Sequence, residues 1–133
     1  MLANAATVYA SGEYDLESSY STISGYTIAL NGIKLTGGVS HDYGWVMKNG
    51  GSFEVLVSGS CTVKITGSKY SAGNVTASAS AGTITPASQS CVVENDKVDT
   101  YDFVYEGGEA TLTFGCADSN TQAYTPKITV VYD

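Results

Sequence analysis

The chain has 133 residues, a formal charge of −7 and only 14% charged side chains, with no arginine among them. That length holds one domain, residues 1–133, with a core of its own, and the apolar content excludes a disordered tail. The acidic balance excludes nucleic acid and anionic membrane surfaces as partners, because both require a basic footprint.

Alternation with a period of two runs through the chain, and no window sustains an amphipathic helix. The opening "MLANAATVYA" is too short and too polar for the apolar part of an export signal, so Met1 is expected to be an expression start left after a leader was trimmed. "GYTIALNGIKL" reads as a hairpin turned at Asn31-Gly32, a two-residue turn signal. "HDYGWVMKNGG" follows, carrying the single His and the single Trp. "SFEVLVSG" alternates on Phe53, Val55 and Val57, and "CTVKITG" on Cys61, Val63 and Ile65; the turn chemistry between them predicts a second hairpin. "NVTASASAGTITPAS" predicts weaker strands broken at Gly82 and Pro86. "TYDFVYEGGEATLTFGC" predicts a third hairpin through Gly107-Gly108, and "PKITVVYD" a last strand with proline at its start, where a missing donor does least harm. Roughly nine to eleven short strands with frequent turns make an all-β, antiparallel β-sandwich, jelly-roll-like; a closed barrel is the alternative.

The residue types needed for catalysis are scarce. A nucleophile triad would have to be built on His41, and no strand–elbow–helix motif exposes a serine for it. The acidic run Glu94, Asp96, Asp99 and Asp102 offers carboxylates for glycoside hydrolysis, but such spacing near a turn is ordinarily a solvated loop. Its other reading is a structural calcium site at Asp96, Asp99 and Asp102. Zinc, P-loop and dinucleotide patterns are absent from the sequence. The expectation is a chain that is not an enzyme. Cys61, Cys91 and Cys116 allow either one disulfide with a thiol left over or three thiols; Cys61 and Cys116 share parity with apolar neighbours, which places them toward the core.

Binding is better supplied. Sugars are held by aromatic rings that stack on their C–H faces while amides, lysines and hydroxyls bond their substituents, so aromatics off the core parity, in loops, are the residues to seek. "HDYGW" carries His41, Asp42, Tyr43 and Trp45, with Lys48 just beyond. "GSKYSAGN" carries Lys69, Tyr70 and Asn74. "SNTQAYTPK" carries Asn120, Gln122, Tyr124 and Lys127, and "ESSYST" adds Tyr20. For Trp45 a half-buried core position is an equal reading. Residues 34–73 hold four lysines against two acids, so this part of an acidic chain is locally positive.

The run "HDYGWVMKNGGSFEVLVSGSCTVKITGSKYSAGNVT", followed by "FVYEGGEATLTFGC" and "AYTPKITV", resembles the small β-sandwich carbohydrate-binding modules appended to bacterial pectate lyases and other plant-cell-wall-degrading enzymes. The match spans about residues 26–132. The resemblance implies a non-catalytic binder of plant cell-wall polysaccharide, of β-glucan, mannan or pectic type. The parent polypeptide would carry a catalytic module and would be secreted, as an extracellular or cell-surface enzyme complex. On the matching positions it implies ligand contacts at His41, Lys48, Lys69, Tyr70, Tyr124 and Lys127. Tyr43, Trp45 and Gln122 join them from the loop reading above. The chain departs from the pattern in its acidic N-terminal stretch and in "TITPASQSCVVENDKVDTYD", so the exact ligand does not transfer. The alternative is a structural or adhesive sandwich of a bacterial surface protein without glycan affinity.

Overall fold

Strands alternate inward and outward side chains, and the apolar positions of that alternation form two inward faces that close on each other. The computed structural model describes residues 12–15, 26–30, 33–36, 39–41, 44–47, 51–94 and 97–133, with side-chain detail for 46–47, 51–94 and 97–133. The described strands are β1 (Gly12–Asp15), β2 (Tyr26–Leu30), β3 (Ile33–Thr36), β4 (Val39–His41), β5 (Gly44–Met47), β6 (Ser52–Val57), β7 (Cys61–Gly67), β8 (Asn74–Ala79), β9 (Thr83–Thr85), β10 (Ser88–Ser90), β11 (Asp99–Glu106), β12 (Ala110–Cys116), β13 (Ala123–Thr125) and β14 (Lys127–Tyr132). Ten of the fourteen are longer than three residues, and every pairing is antiparallel. The all-β sandwich expected from the alternation is the fold.

One large sheet has five strands in the order β1-β14-β7-β11-β9, and the other has six, β10-β8-β12-β6-β3-β2. A third, small sheet runs β13-β5-β4. Phe53, Val55 and Val57 of β6, Leu112 and Phe114 of β12 and Val75 of β8 are buried from one side. Cys61, Val63, Ile65, Phe103, Tyr105, Ile128 and Val130 are buried from the other. Phe53 and Phe114 are register partners whose rings stack at 4.8 Å. Phe114 also meets Phe103 across the interlayer space, edge to face, at 5.2 Å. Such ring pairs add to the stabilisation that area burial alone gives.

Two of the three expected hairpins are not hairpins. β2 and β3 do pair, antiparallel, with a register shift between Ile28 and Leu30; Asn31 and Gly32 themselves lie outside the described residues. β6 and β7, however, lie in different sheets, and so do β11 and β12. β6 pairs with β3 and β12, while β7 pairs with β11 and β14. From β6 to β12 each strand passes to the opposite sheet from the one before it. Alternation dictates which side chains face inward, but a strand beside its neighbour and a strand facing it across the core satisfy that demand equally. The two connections meet at one end, where the Gly107 N–H donates to Ser60 Oγ at 3.1 Å and the buried Tyr105 hydroxyl donates to the Gly108 carbonyl at 2.9 Å.

All three cysteines are free thiols. Cys61 is buried, as its parity requires, Cys116 is half-buried against the core, and Cys91 is buried just past β10. Burial pushes the Cys61 and Cys91 thiols each up to about 11, and it raises Cys116 as well.

Candidate functional site

Residues 68–73 connect β7 to β8, and residues 117–122 connect β12 to β13. Backbone bonds zip the two loops together: the Ala72 N–H donates to the Gln122 carbonyl at 2.7 Å and the Gln122 N–H returns to the Ala72 carbonyl at 2.8 Å. The Ser68 N–H donates to the Tyr124 carbonyl at 3.0 Å, and the Tyr124 N–H donates to Ser71 Oγ at 3.0 Å. Gln122 Nε2 reaches across to the Tyr70 carbonyl at 3.1 Å. Ser68, Ser71 and Thr121 are buried, and the hydroxyls of Ser71 and Thr121 are hydrogen-bonded, as buried polar groups usually are.

Asp118 organises its own loop, its Oδ1 accepting from the Asn120 N–H at 2.9 Å and from the Thr121 hydroxyl at 3.2 Å. Gly73 has φ +84°, and a Cβ there would stand 2.6 Å from Thr121 Oγ1 and 2.9 Å from Thr121 Cα. Only glycine permits both that conformation and that approach. From below, Cys91 ties the zip to β10: its N–H donates to the Gly73 carbonyl at 3.1 Å. Its thiol lies 3.3 and 3.4 Å from the Ala72 and Gly73 carbonyl oxygens.

This bracing presents Tyr70. Its φ of +74° is in the left-handed region, which a bulky residue enters only when its surroundings hold it there. The residue is nevertheless 56% exposed. The ring centroid of half-buried Tyr124 lies 6.0 Å away, with the ring planes at 60°. The Lys69 ammonium sits 5.3 Å from the Tyr70 ring centroid, a cation–π approach. Lys69, Tyr70, Gln122 and Tyr124, chosen from separate stretches of sequence, are therefore one corner of the molecule. Next along β13, Thr125 Oγ1 is buried with Tyr101 Oη close by, and neither makes a hydrogen bond of good geometry among the described residues. Burial drives the Tyr101 phenol far above its ordinary range.

The remaining candidates are placed by backbone register where they are described. Tyr43 and Lys48 lie outside the described residues. His41 ends β4 with Gly44 as its register partner. Trp45 pairs in register with Ser40 on one side and Thr125 on the other, while Tyr124 pairs with Val46; Trp45 and Tyr124 thus hold positions of opposite parity on adjacent strands. Lys127 opens β14 on the five-stranded sheet, in register with Thr66 and Asp15.

Of the acidic run, Asp96 lies outside the described residues. Asp99 Oδ1 accepts from the Thr100 N–H at 2.8 Å. Asp102 pairs with Lys64 at 3.1 Å, both side chains over 40% exposed. No group of three His, Cys, Asp or Glu able to hold a metal occurs among the described residues.

Sequence reasoning missed Ser71, Gly73 and Cys91, the parts that hold the corner. A glycine before Asn74 was a signal within reach; nothing local to Cys91 distinguishes it.

No family model matches the chain, and no curated protein matches it. Among solved structures it is similar to the crystal structure of an exo-β-1,3-galactanase from Phanerochaete chrysosporium with galactose. The identity is 22% and the TM-score 0.47, over 91% of this chain and 29% of that chain. The chain thus spans under a third of that protein's length.

Proposed function

We propose that the chain is a non-catalytic carbohydrate-binding module that grips a plant cell-wall polysaccharide at the Tyr70–Tyr124 corner. The observation that carries this reading is a tyrosine held in a left-handed backbone conformation with its ring exposed, beside a second ring and an ammonium group. A backbone position that disfavours bulky side chains, filled by one that faces water, fits a role at the surface rather than in packing. Ring faces supply the apolar contact for sugar C–H groups, and Lys69 and Gln122 supply donors for hydroxyl or carboxylate oxygens. As part of a secreted hydrolase or lyase, the module would act by proximity: one weak contact raises the effective concentration of a tethered enzyme at an insoluble polymer.

The test is affinity electrophoresis against glucan, mannan, xylan and pectin, with calorimetry on any polymer that retards the protein. Retardation is expected, and Tyr70→Ala or Tyr124→Ala should each lower affinity about tenfold or more while leaving a folded protein. No retardation by any of the four overturns the proposal. A pectic ligand predicts weakening with salt and with Lys69→Ala, whereas a neutral glycan predicts little response to salt. A reducing-sugar assay on the same polymers should read no hydrolysis.

A further inference from the structure

Building on the carbohydrate reading above, we infer that the Tyr70–Tyr124 corner takes one sugar unit at a time, at a chain end or on a bent chain, and does not bind a flat polysaccharide ribbon. Stacking on an extended ribbon requires rings that lie in one plane, because successive sugar rings of such a chain share a mean plane. Here the two planes meet at 60° with centroids 6.0 Å apart. A sugar lying on either ring has the other ring along its edge, so both tyrosines serve the same unit, and among the described residues no further exposed ring stands ready for the next. The Lys69 ammonium, 5.3 Å from the Tyr70 centroid, crowds the same corner and is placed to bond a substituent of that unit.

The arrangement resists flattening. The Tyr70 carbonyl is held by Gln122 Nε2 at 3.1 Å, and the backbone on either side of it is fixed: the Ser71 N–H donates to the Ser68 carbonyl at 3.3 Å and Ala72 is zipped to Gln122. Tyr124 is half-buried, with its N–H on Ser71 Oγ. Turning the Tyr70 ring into the plane of Tyr124 would therefore fall to its side-chain torsions alone, and it would abandon the contacts with both Tyr124 and Lys69. A preorganised corner of this kind reads the shape of one residue.

The experiment is a calorimetric ladder from two to six units using β-1,3-linked and β-1,4-linked gluco-oligosaccharides and α-1,4-linked oligogalacturonates, beside a pull-down on microcrystalline cellulose. The inference expects one of the bent series to bind, with affinities for the shortest and longest members within about threefold of each other, and no adsorption to cellulose. Affinity that climbs about tenfold or more along the ladder, or adsorption to cellulose lost in both Tyr70→Ala and Tyr124→Ala, overturns the inference and leaves the carbohydrate reading standing. If no member of the three series binds and the four polymers above also fail to retard the protein, both are overturned. Tyr70→Phe keeps the ring and must keep the ladder flat, which separates the geometry of the corner from the phenolic hydroxyl.

Discussion

The interior between the two large sheets and the corner formed by residues 68–73 and 117–124 are held together by different physics. In the interior, Phe53, Phe103, Phe114 and their aliphatic neighbours are buried on every side, and apolar attraction between them is non-directional and shared among many partners. In the corner, named donors and acceptors do the holding: Ala72 with Gln122, Ser71 with Tyr124, Gln122 with Tyr70 and Cys91 with Gly73. Tyr70 and Gly73 add two left-handed backbone positions. The difference teaches that stability and shape are separable here. The interior should govern whether the chain folds, and the corner should govern whether the exposed rings stand where a ligand can use them.

The largest way to strain that contrast is Phe114→Ala. It removes a ring that stacks on Phe53 and meets Phe103, and it should destabilise by about 3–5 kcal/mol in urea unfolding. Glycan affinity, corrected for the folded fraction, should not change; a loss of affinity would mean that the corner leans on the interior.

Alkaline pH comes next, because it acts on both regions at once. Cys61 belongs to the interior and Cys91 lies under the corner, and burial raises both thiols from 9.0 to about 11. An unfolded chain releases these protons above pH 9, while the folded one retains them. Stability is therefore complete below pH 9 and falls as pH rises toward 11, by roughly 2 kcal/mol for each thiol. Unfolding measured from pH 8 to 11 should show this decline. Cys61→Ala and Cys91→Ala should each remove one share of the slope, leaving the shares of Cys116 and Tyr101, which burial also raises. A profile that stays flat in the parent protein would contradict the burial of both.

Gly73→Ala should lower stability by about 2 kcal/mol, through the left-handed backbone and the approach of Thr121. Its signature is a fall in glycan retention out of proportion to its effect on melting, the reverse of Phe114→Ala.

The smallest effect is expected where the two regions touch. Tyr101→Phe removes a buried hydroxyl without a hydrogen bond of good geometry among the described residues, so stability should stay the same or rise, within about 1 kcal/mol. A loss larger than that would show the hydroxyl to be satisfied in solution.

How much of this was legible beforehand varies from one residue to the next. Phe53, Val55 and Val57, and Val63 with Ile65, announce their faces by alternation, and all are buried. Tyr70 and Tyr124 were legible as loop aromatics off the core parity, and the fold brings their rings together. Lys127 follows Tyr124 closely in sequence and opens β14, in another sheet. A step from β13 to β14 changes sheets within one residue. Cys91 and Ser71 carry no local mark of their roles, since each acts on carbonyls or amides supplied by a different loop.

The amino-acid order by itself determined the periodicity, and with it the all-β class and the inward faces, because side-chain alternation is a property of a single strand. It also determined the pairing of β2 with β3, because a two-residue signal between adjacent strands acts locally. Which strands pair was decided only in three dimensions: β6 and β7, adjacent in sequence, face each other across the core and take partners from elsewhere in the chain. The corner, too, exists only there, since the hydrogen bonds and the ring contact that shape it join residues about fifty positions apart.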